Sequence, residues 1–415
     1  MKILHIAVHV GGGIGSAFAG LSTCGQEQSI LLLEEPEDRN SLARVKDAGF
    51  RILINPDSIT TEQELKQADI VVFNWYHHPK LAKFLHSFPS IAIRSILWSH
   101  VSGNYFPHIP GGFLTEFDQV MFTTPFSLHL PQVESLGNDF LREHCQVVYG
   151  MGDLRRIKEV HRTRGTTFSI GYTGTLSFCK LHPAFVDFCA AVTIPNARFV
   201  LAGSPSAKQQ ILSSARRKGI DKQFEFLGHV SDISHALSQM DIYGYLLNPQ
   251  HFGTTENALL EAMAAGLPVV ALDQCVERWI IRDGLTGLLV HSPEEYGNAL
   301  RFLYENPQKA ARLGQQARTD TLEQYRIRDN QQCFLTVCQK ALLNEKHRHK
   351  FAEYASENPS DWFMSCVNDG KDCFEENRAQ DAGWIFHEHT KGSPIHYHTL
   401  FPENPRLALW AKQLL

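Results

Sequence analysis

Short apolar runs alternate with helix-length segments from the first residues onward, and this alternation confines the chain to an α/β architecture. KILHIAV, SILLLEE, ADIVVFNW, SILWSH, QVMFTT and CQVVYG read as buried strands with room between them for crossover helices, as in an open parallel sheet. The polar, basic stretch DLRRIKEVHRTRGTT (153–167) breaks the series and reads as a linker. A second series follows in FSIGYTG, ARFVLAG, FEFLGHV, DIYGYLL, LPVVAL and TGLLVH, closed by a long helical stretch that runs to about residue 345. A chain of 415 residues exceeds one ordinary core, so two doubly wound, Rossmann-like domains are expected, at 1–155 and 168–345. Ligands of such sheets lie beyond the carboxyl ends of the strands, here most naturally in a cleft between the halves. Residues 346–415 are aromatic and histidine-rich with no clear period, too aromatic for a disordered tail, and are expected to form an extension packed on the first domain.

Composition removes several classes of function. A net charge of −5 argues against a dominant nucleic-acid partner. The basic strip ARRK (215–218) would suit an anionic membrane surface, although a solvated helix face is the ordinary reading. No apolar run approaches the roughly 18 residues of a membrane span, and MKILHIAVHV lacks the core and cleavage site of a secretory signal. The nine cysteines show no zinc-type CxxC pairs and read as reduced thiols of a cytoplasmic protein, peripheral contact with the inner membrane face left open.

Three segments carry candidate chemistry. HVGGGIGS (9–16) follows the first strand, and glycines such as Gly13 let backbone N–H groups approach an anion, although a tight strand-to-helix turn explains them equally. GYTGTLSFCKLHP (171–183) places Thr175 and Lys180 beyond a strand end, where an ammonium would stabilise a leaving diphosphate. HFGTTENALLEAMAAGLPVVAL (251–272) reads as a glycine turn at Gly253, a helix capped by Thr254 or Thr255, Glu256 in its first turn, and a buried strand. The amides of residues 254–256 would then cradle an anion. Glu261 lies further along the helix with its side chain leaning back toward the N-terminus. There a carboxylate accepts two hydrogen bonds side by side, which suits a ribose diol.

Together GTLSFCKLHP, FLGHVSD, DIYGYLLNPQHFGTTENALLEAMAAGLPVVALD and RDGLTGLLV resemble the C-terminal half of GT-B glycosyltransferases of family 4, the retaining group 1 enzymes. The resemblance runs from about Ile170 to Tyr325 and more loosely over 1–153. It implies a retaining transferase that moves a sugar from a nucleotide-sugar donor, held mainly by the second domain, to a glycan or lipid-linked glycan, as in bacterial polysaccharide or glycoconjugate synthesis. It implies no cofactor and no metal. In the family's motif of two glutamates separated by seven residues, the second falls on Glu261 and holds the ribose, whereas the first falls on Gly253. Glu256, or the amides of Thr254 to Glu256, would have to replace it. The family's Arg/Lys pair on the diphosphate falls on Thr175 and Lys180, so only the lysine carries over. These two losses keep open a catalytically silent nucleotide-sugar-binding protein, and another GT-B chemistry such as a sugar-nucleotide epimerase.

The resemblance also implies that His100, at the end of ILWSH, faces the transferred sugar and donates a hydrogen bond to a sugar hydroxyl or to charge near the reacting centre. Asn74, Trp75 and His77 end another strand and suit stacking on an acceptor sugar. The catalytic candidates are therefore His100, Lys180 and Glu256. HEH (387–389) and HYH (396–398) have the look of zinc ligands, but alternating histidines often only face solvent, and no metal is assigned.

Overall fold

The structure is a computed structural model that describes residues 1–22, 24–36, 39–160, 167–354, 356–389 and 392–415; residues 161–166 of the expected linker lie outside them. Two compact units are present. Unit 1 comprises Met1–Gly152, Phe252–Thr255 and Ile327–Leu415, and unit 2 comprises Asp153–His251 and Glu256–Arg326.

Unit 1 contains strands β1 (Lys2–Ala7), β2 (Glu27–Leu32), β3 (Arg51–Ile54), β4 (Ile70–Trp75), β5 (Ser95–Ser99), β6 (Gln119–Phe122) and β7 (Cys145–Val147). They form one sheet in the order β3-β2-β1-β4-β5-β6-β7, every pair parallel. β4 and β5 are buried along their whole length, which is why they read as unbroken apolar runs. β3 is not among the runs picked out by sequence. It is an edge strand with no fully buried residue, so RILI lacks the continuous apolar character of its neighbours.

Unit 2 contains β8 (Phe168–Thr173), β9 (Ala197–Ala202), β10 (Phe224–Gly228), β11 (Ile242–Tyr245), β12 (Val269–Leu272) and β13 (Leu288–Val290). Their order is β10-β9-β8-β11-β12-β13, again parallel throughout. The strand order reverses between β1 and β4 in the first sheet and between β8 and β11 in the second. Loops leaving neighbouring strands diverge at such a point and open a crevice at the carboxyl ends.

The units depart from the expected boundaries at the helix Ile327–Leu342, which belongs to unit 1 rather than to a domain ending at 345. Its Phe334, Val337, Cys338 and Ala341 enter one core with Ile3, Phe18, Val72 and Trp98. Helical periodicity shows that the segment has an apolar face but not which sheet that face covers. The last seventy residues lie in unit 1 as short helices, among them Pro359–Ser365, Pro394–Leu400 and Pro405–Leu414. Each starts with proline behind a side-chain cap, from Asn358, Ser393 and Asn404 respectively. Phe363 holds them together through ring contacts with Phe106, Phe374, Phe386, Tyr397 and Trp410.

Among the described residues no disulfide is formed, and Cys366 and Cys373 are both thiols. Among the described residues no helix is long and apolar enough to cross a membrane. The basic strip sits at the end of the Lys208–Arg217 helix, where Asp221 lies 3.8 Å from Arg216 and Asp187 2.5 Å from Lys218.

Candidate active site

In unit 2 the loops leaving β8 and β11 are tied to each other at the strand-order reversal. Leu181 bridges Leu247 in antiparallel fashion, and the Asn248 amide donates to the Lys180 carbonyl at 2.8 Å. This places Lys180 over the start of the 257–264 helix. Its Nζ lies 2.9 Å from Glu256 Oε2, the lysine side chain 22% exposed and the glutamate 1%. The Tyr245 hydroxyl donates to the same carboxylate oxygen.

Behind this pair lie two groups that the sequence reading missed. His251 Nε2 is 3.7 Å from Glu256 Oε1 and 3.4 Å from Glu277 Oε1, with all three side chains buried. His251 Nδ1 is 2.7 Å from the Asn248 carbonyl, so Nδ1 carries the hydrogen and Nε2 presents a lone pair to the two carboxyls. Burial lowers the His251 pKa to about 4, which keeps the ring neutral. Burial, reinforced by the Glu256 charge, raises the Glu277 pKa to about 8. Burial by itself would raise that of Glu256 as well, but the Lys180 ammonium and the Tyr245 hydrogen bond hold it well below the usual carboxylate range. At neutral pH Glu256 is therefore ionised, His251 neutral and Glu277 protonated. The one cue to Glu277 in the sequence is a carboxylate soon after a buried strand, in LDQCVERW.

The entry to the helix differs from the expected capping. The helix spans Asn257–Ala264, and Glu256 is its N-cap, left-handed at φ +54° and without a capping bond from its own side chain. Neither Thr254 nor Thr255 caps it. Thr255 Oγ1 instead donates to the Thr123 carbonyl at 3.0 Å and accepts from the Gly150 amide at 2.8 Å, both inside unit 1. Gly253 is buried at φ +56°, a conformation that penalises side chains, which gives a backbone reason for glycine at this position. Thr254 belongs to the same unit 1 segment and is partly exposed. Glu261 stands on the helix with its side chain 16% exposed, and its Oε1 accepts from Arg156 Nη2 at 2.7 Å. Arg156 is a third residue that motif reading did not find. Thr175 stands exposed in the loop after β8.

The candidates of unit 1 take different parts. Gly13 lies exposed in the first turn of the Gly12–Leu21 helix, with open space where a Cβ would stand. His100, 8% exposed, follows β5 and sets Nε2 3.1 Å from Asn74 Oδ1. The Asn74 amide group donates to the Ile6 and Val72 carbonyls, so its oxygen faces the histidine and Nε2 must carry the hydrogen. The free Nδ1 is thus an acceptor, not the expected donor. Burial lowers the His100 pKa to about 3 and keeps it so. Asn74, Trp75 and His77 are 0%, 1% and 1% exposed, which leaves no ring face for stacking on a sugar. Asn74 positions His100, Trp75 packs on Phe113, and His77 sits among Phe106, Trp362, Phe363 and Tyr397. The tail histidines are dispersed: His387 meets the Leu414 carbonyl, whereas His396 accepts from the Gly392 amide and packs edge-on against His78.

Residues 153–320 match the family described as Glycosyl transferases group 1, in agreement with the resemblance noted above. EpsD of Bacillus subtilis (strain 168), provisionally named a glycosyltransferase, is 29% identical over 172 residues, 40% of this chain and 44% of that protein. The alpha-monoglucosyldiacylglycerol synthase of Acholeplasma laidlawii is 28% identical over 145 residues, 35% of this chain and 36% of that protein. This chain thus spans less than half the length of either curated relative. The structure of Anabaena HepE, in complex with UDP and glucose, superposes with a TM-score of 0.64 at 17% identity, over 82% of this chain and 99% of that one. That likeness establishes the fold: two parallel-sheet, Rossmann-like units of GT-B type.

Proposed function

We propose that the chain is a glycosyltransferase that moves a sugar from a nucleotide-sugar donor, with retention of configuration, to a glycan or lipid-linked glycan. The observation that carries this is the unit 2 cluster: Lys180 held 2.9 Å from Glu256 at a helix N-terminus, with Glu261 on the same helix. A helix N-terminus and an ammonium together favour a diphosphate, and a carboxylate nearby favours the ribose diol. The solved complex of HepE with UDP-glucose makes a UDP-hexose the first donor to try.

In this reading Glu261 anchors the ribose, exchanging its bond to Arg156 for the two hydroxyls. Lys180 and the first-turn amides take up charge on the departing diphosphate, which is electrostatic catalysis aimed at the charge that develops on leaving. Glu256 takes the place of the motif glutamate absent at Gly253. It orients the lysine, and the Tyr245 hydroxyl holds Glu256 in turn. The leaving phosphate oxygen accepts the acceptor's proton, so no protein nucleophile is required. His100 accepts a hydrogen bond from a sugar hydroxyl through Nδ1. The transfer itself uses no metal and no cofactor, and the protein works in the cytoplasm.

The experiment is to incubate the pure chain with UDP-, GDP- and ADP-sugars, with and without glycan and glycolipid acceptors. Glycoside product that disappears in Lys180→Met supports transfer. Interconversion of the donor sugar, or donor binding without turnover under every condition, would reject it.

A further inference from the structure

A second polar cluster lies within unit 1, at the amino ends of β5 and β6. Asp118 immediately precedes β6, and the segment after the Ile327–Leu342 helix returns to the sheet there. His347 pairs with Ile93 through reciprocal backbone bonds of 3.1 and 2.9 Å. This sets His347 and His349 on either side of the Asp118 carboxylate, their ring centroids 4.2 Å apart.

The hydrogen bonds leave an unmatched arrangement. His349 Nδ1 lies 2.7 Å from the Glu116 carbonyl and so carries the hydrogen, with Ser95 Oγ further off at 3.5 Å. Its Nε2, on a side chain 1% exposed, has no hydrogen-bond partner and faces Asp118 Oδ2 at 3.8 Å. His347 Nδ1 lies 3.8 Å from Asp118 Oδ1, with a long 3.3 Å contact to the Glu345 carbonyl as its other polar neighbour. Asp118 is itself oriented by the Ser95 amide at 2.7 Å and the Asn344 amide group at 2.8 Å. The three donor atoms fall within 4.8 Å of one another.

Two imidazoles and a carboxylate converge here, and the buried His349 Nε2 has no hydrogen-bond partner, so the cluster offers a donor set that suits a cation. Ligands about 2.0–2.1 Å from a tetrahedral zinc stand roughly 3.3 Å apart, so each 3.8 Å histidine–aspartate separation would close by about half an ångström and the histidine–histidine separation, within 4.8 Å, by up to about 1.5 Å. The half-exposed His347 side chain is free to make that move. The Glu116 carbonyl on His349 Nδ1 and the two amides on Asp118 are the outer partners that such ligands need.

We propose that Asp118, His347 and His349 bind one zinc ion, with solvent in the fourth position, and that the ion fastens the chain after residue 342 to the amino ends of β5 and β6. The role is structural, because substrates of these sheets are met at the opposite, carboxyl ends.

The test uses the untagged full chain, stripped with chelator and titrated with cobalt(II) and then zinc, alongside His347→Ala and Asp118→Asn. The exposed His347 can be truncated without opening the core. The expected result is one equivalent of metal, the intense visible bands of tetrahedral cobalt displaced by zinc, and a Tm raised by zinc. In both variants affinity should fall by more than the roughly 10–100-fold that follows loss of an outer-shell partner, and the Tm response should vanish. No binding by the parent chain at about 100 µM zinc would overturn the proposal. So would undiminished binding in His347→Ala, which would move the ion elsewhere, for instance to the histidines at 387–389 or 396–398.

Discussion

Lys180→Met should be far more damaging to unit 2 than Glu256→Gln, although both break the same 2.9 Å pair. The asymmetry follows from burial. Lys180 keeps 22% of its side chain in solvent, so losing Glu256 leaves an ammonium that water can still reach. Glu256 is 1% exposed, so losing Lys180 strands a carboxylate between the Tyr245 hydroxyl and a neutral His251. Removing one partner of a buried pair costs about 3–5 kcal/mol, and that range applies to Lys180→Met. Glu256→Gln keeps the shape and a hydrogen-bond acceptor for Tyr245, and it relieves the repulsion felt by Glu277. It should cost about 2 kcal/mol, the scale of a charge-assisted bond. Once Glu256→Gln is in place, adding Lys180→Met should cost no more than about 1 kcal/mol, a coupling of at least about 2 kcal/mol across the pair. Native-state hydrogen exchange of the amides in β11 and the 257–264 helix is the suitable assay, because it reads unit 2 without requiring both units to unfold together. Equal costs for the two single changes, or an undiminished cost of Lys180→Met when it is added to Glu256→Gln, would refute the reasoning.

Glu277→Gln should reverse part of the pH dependence of unit 2. Between the ordinary value of 4.5 and about 8 the folded state keeps a proton on Glu277 that the unfolded chain releases, so stability falls as pH rises through that window. His251, lowered from 6.5 to about 4, contributes the opposite slope, but only below 6.5. Between about pH 6.5 and about pH 8, exchange-derived stability should thus fall less in Glu277→Gln than in the parent, and parallel declines would contradict the protonation assigned here. Gly203→Ala should destabilise unit 2 by at least about 3 kcal/mol, because Gly203 sits at φ +145° and a Cβ there would lie 1.8 Å from the Gly174 carbonyl oxygen. A loss under about 1 kcal/mol in the same exchange experiment would show that the β8 and β9 loops yield easily.

The fold was legible because strands buried on both faces write themselves as unbroken apolar runs, and β4, β5 and β12 are of that kind. β3 escaped because an edge strand need not be fully buried, and the Ile327–Leu342 helix was placed with the wrong sheet because periodicity carries no address. Lys180, in a loop beyond a strand end, and Glu256, at a helix start marked by glycine and threonine, stand out in the sequence, and the structure brings the two together. The local geometry still differed, with Glu256 at the N-cap in a left-handed conformation. Trp75 and His77 were read as a sugar platform from their place at a strand end. The aromatic extension covers that place, and no pattern within NWYHHP announces a partner almost three hundred residues away. His251, Glu277, Arg156 and the Asp118–His347–His349 cluster are assembled by tertiary contacts between segments that look ordinary one at a time.

In the proposed function donor recognition turns on Glu261 gripping a ribose diol, and calorimetric titration with UDP and with its 2′,3′-dideoxy analogue tests that proposal directly. Two hydrogen bonds to a carboxylate, at about 1.5–3 kcal/mol for such bonds, predict that the parent chain binds UDP at least about tenfold more tightly than the analogue. Glu261→Ala should bind the two alike. Equal affinities in the parent chain, or discrimination that survives in Glu261→Ala, would contradict this role for the carboxylate.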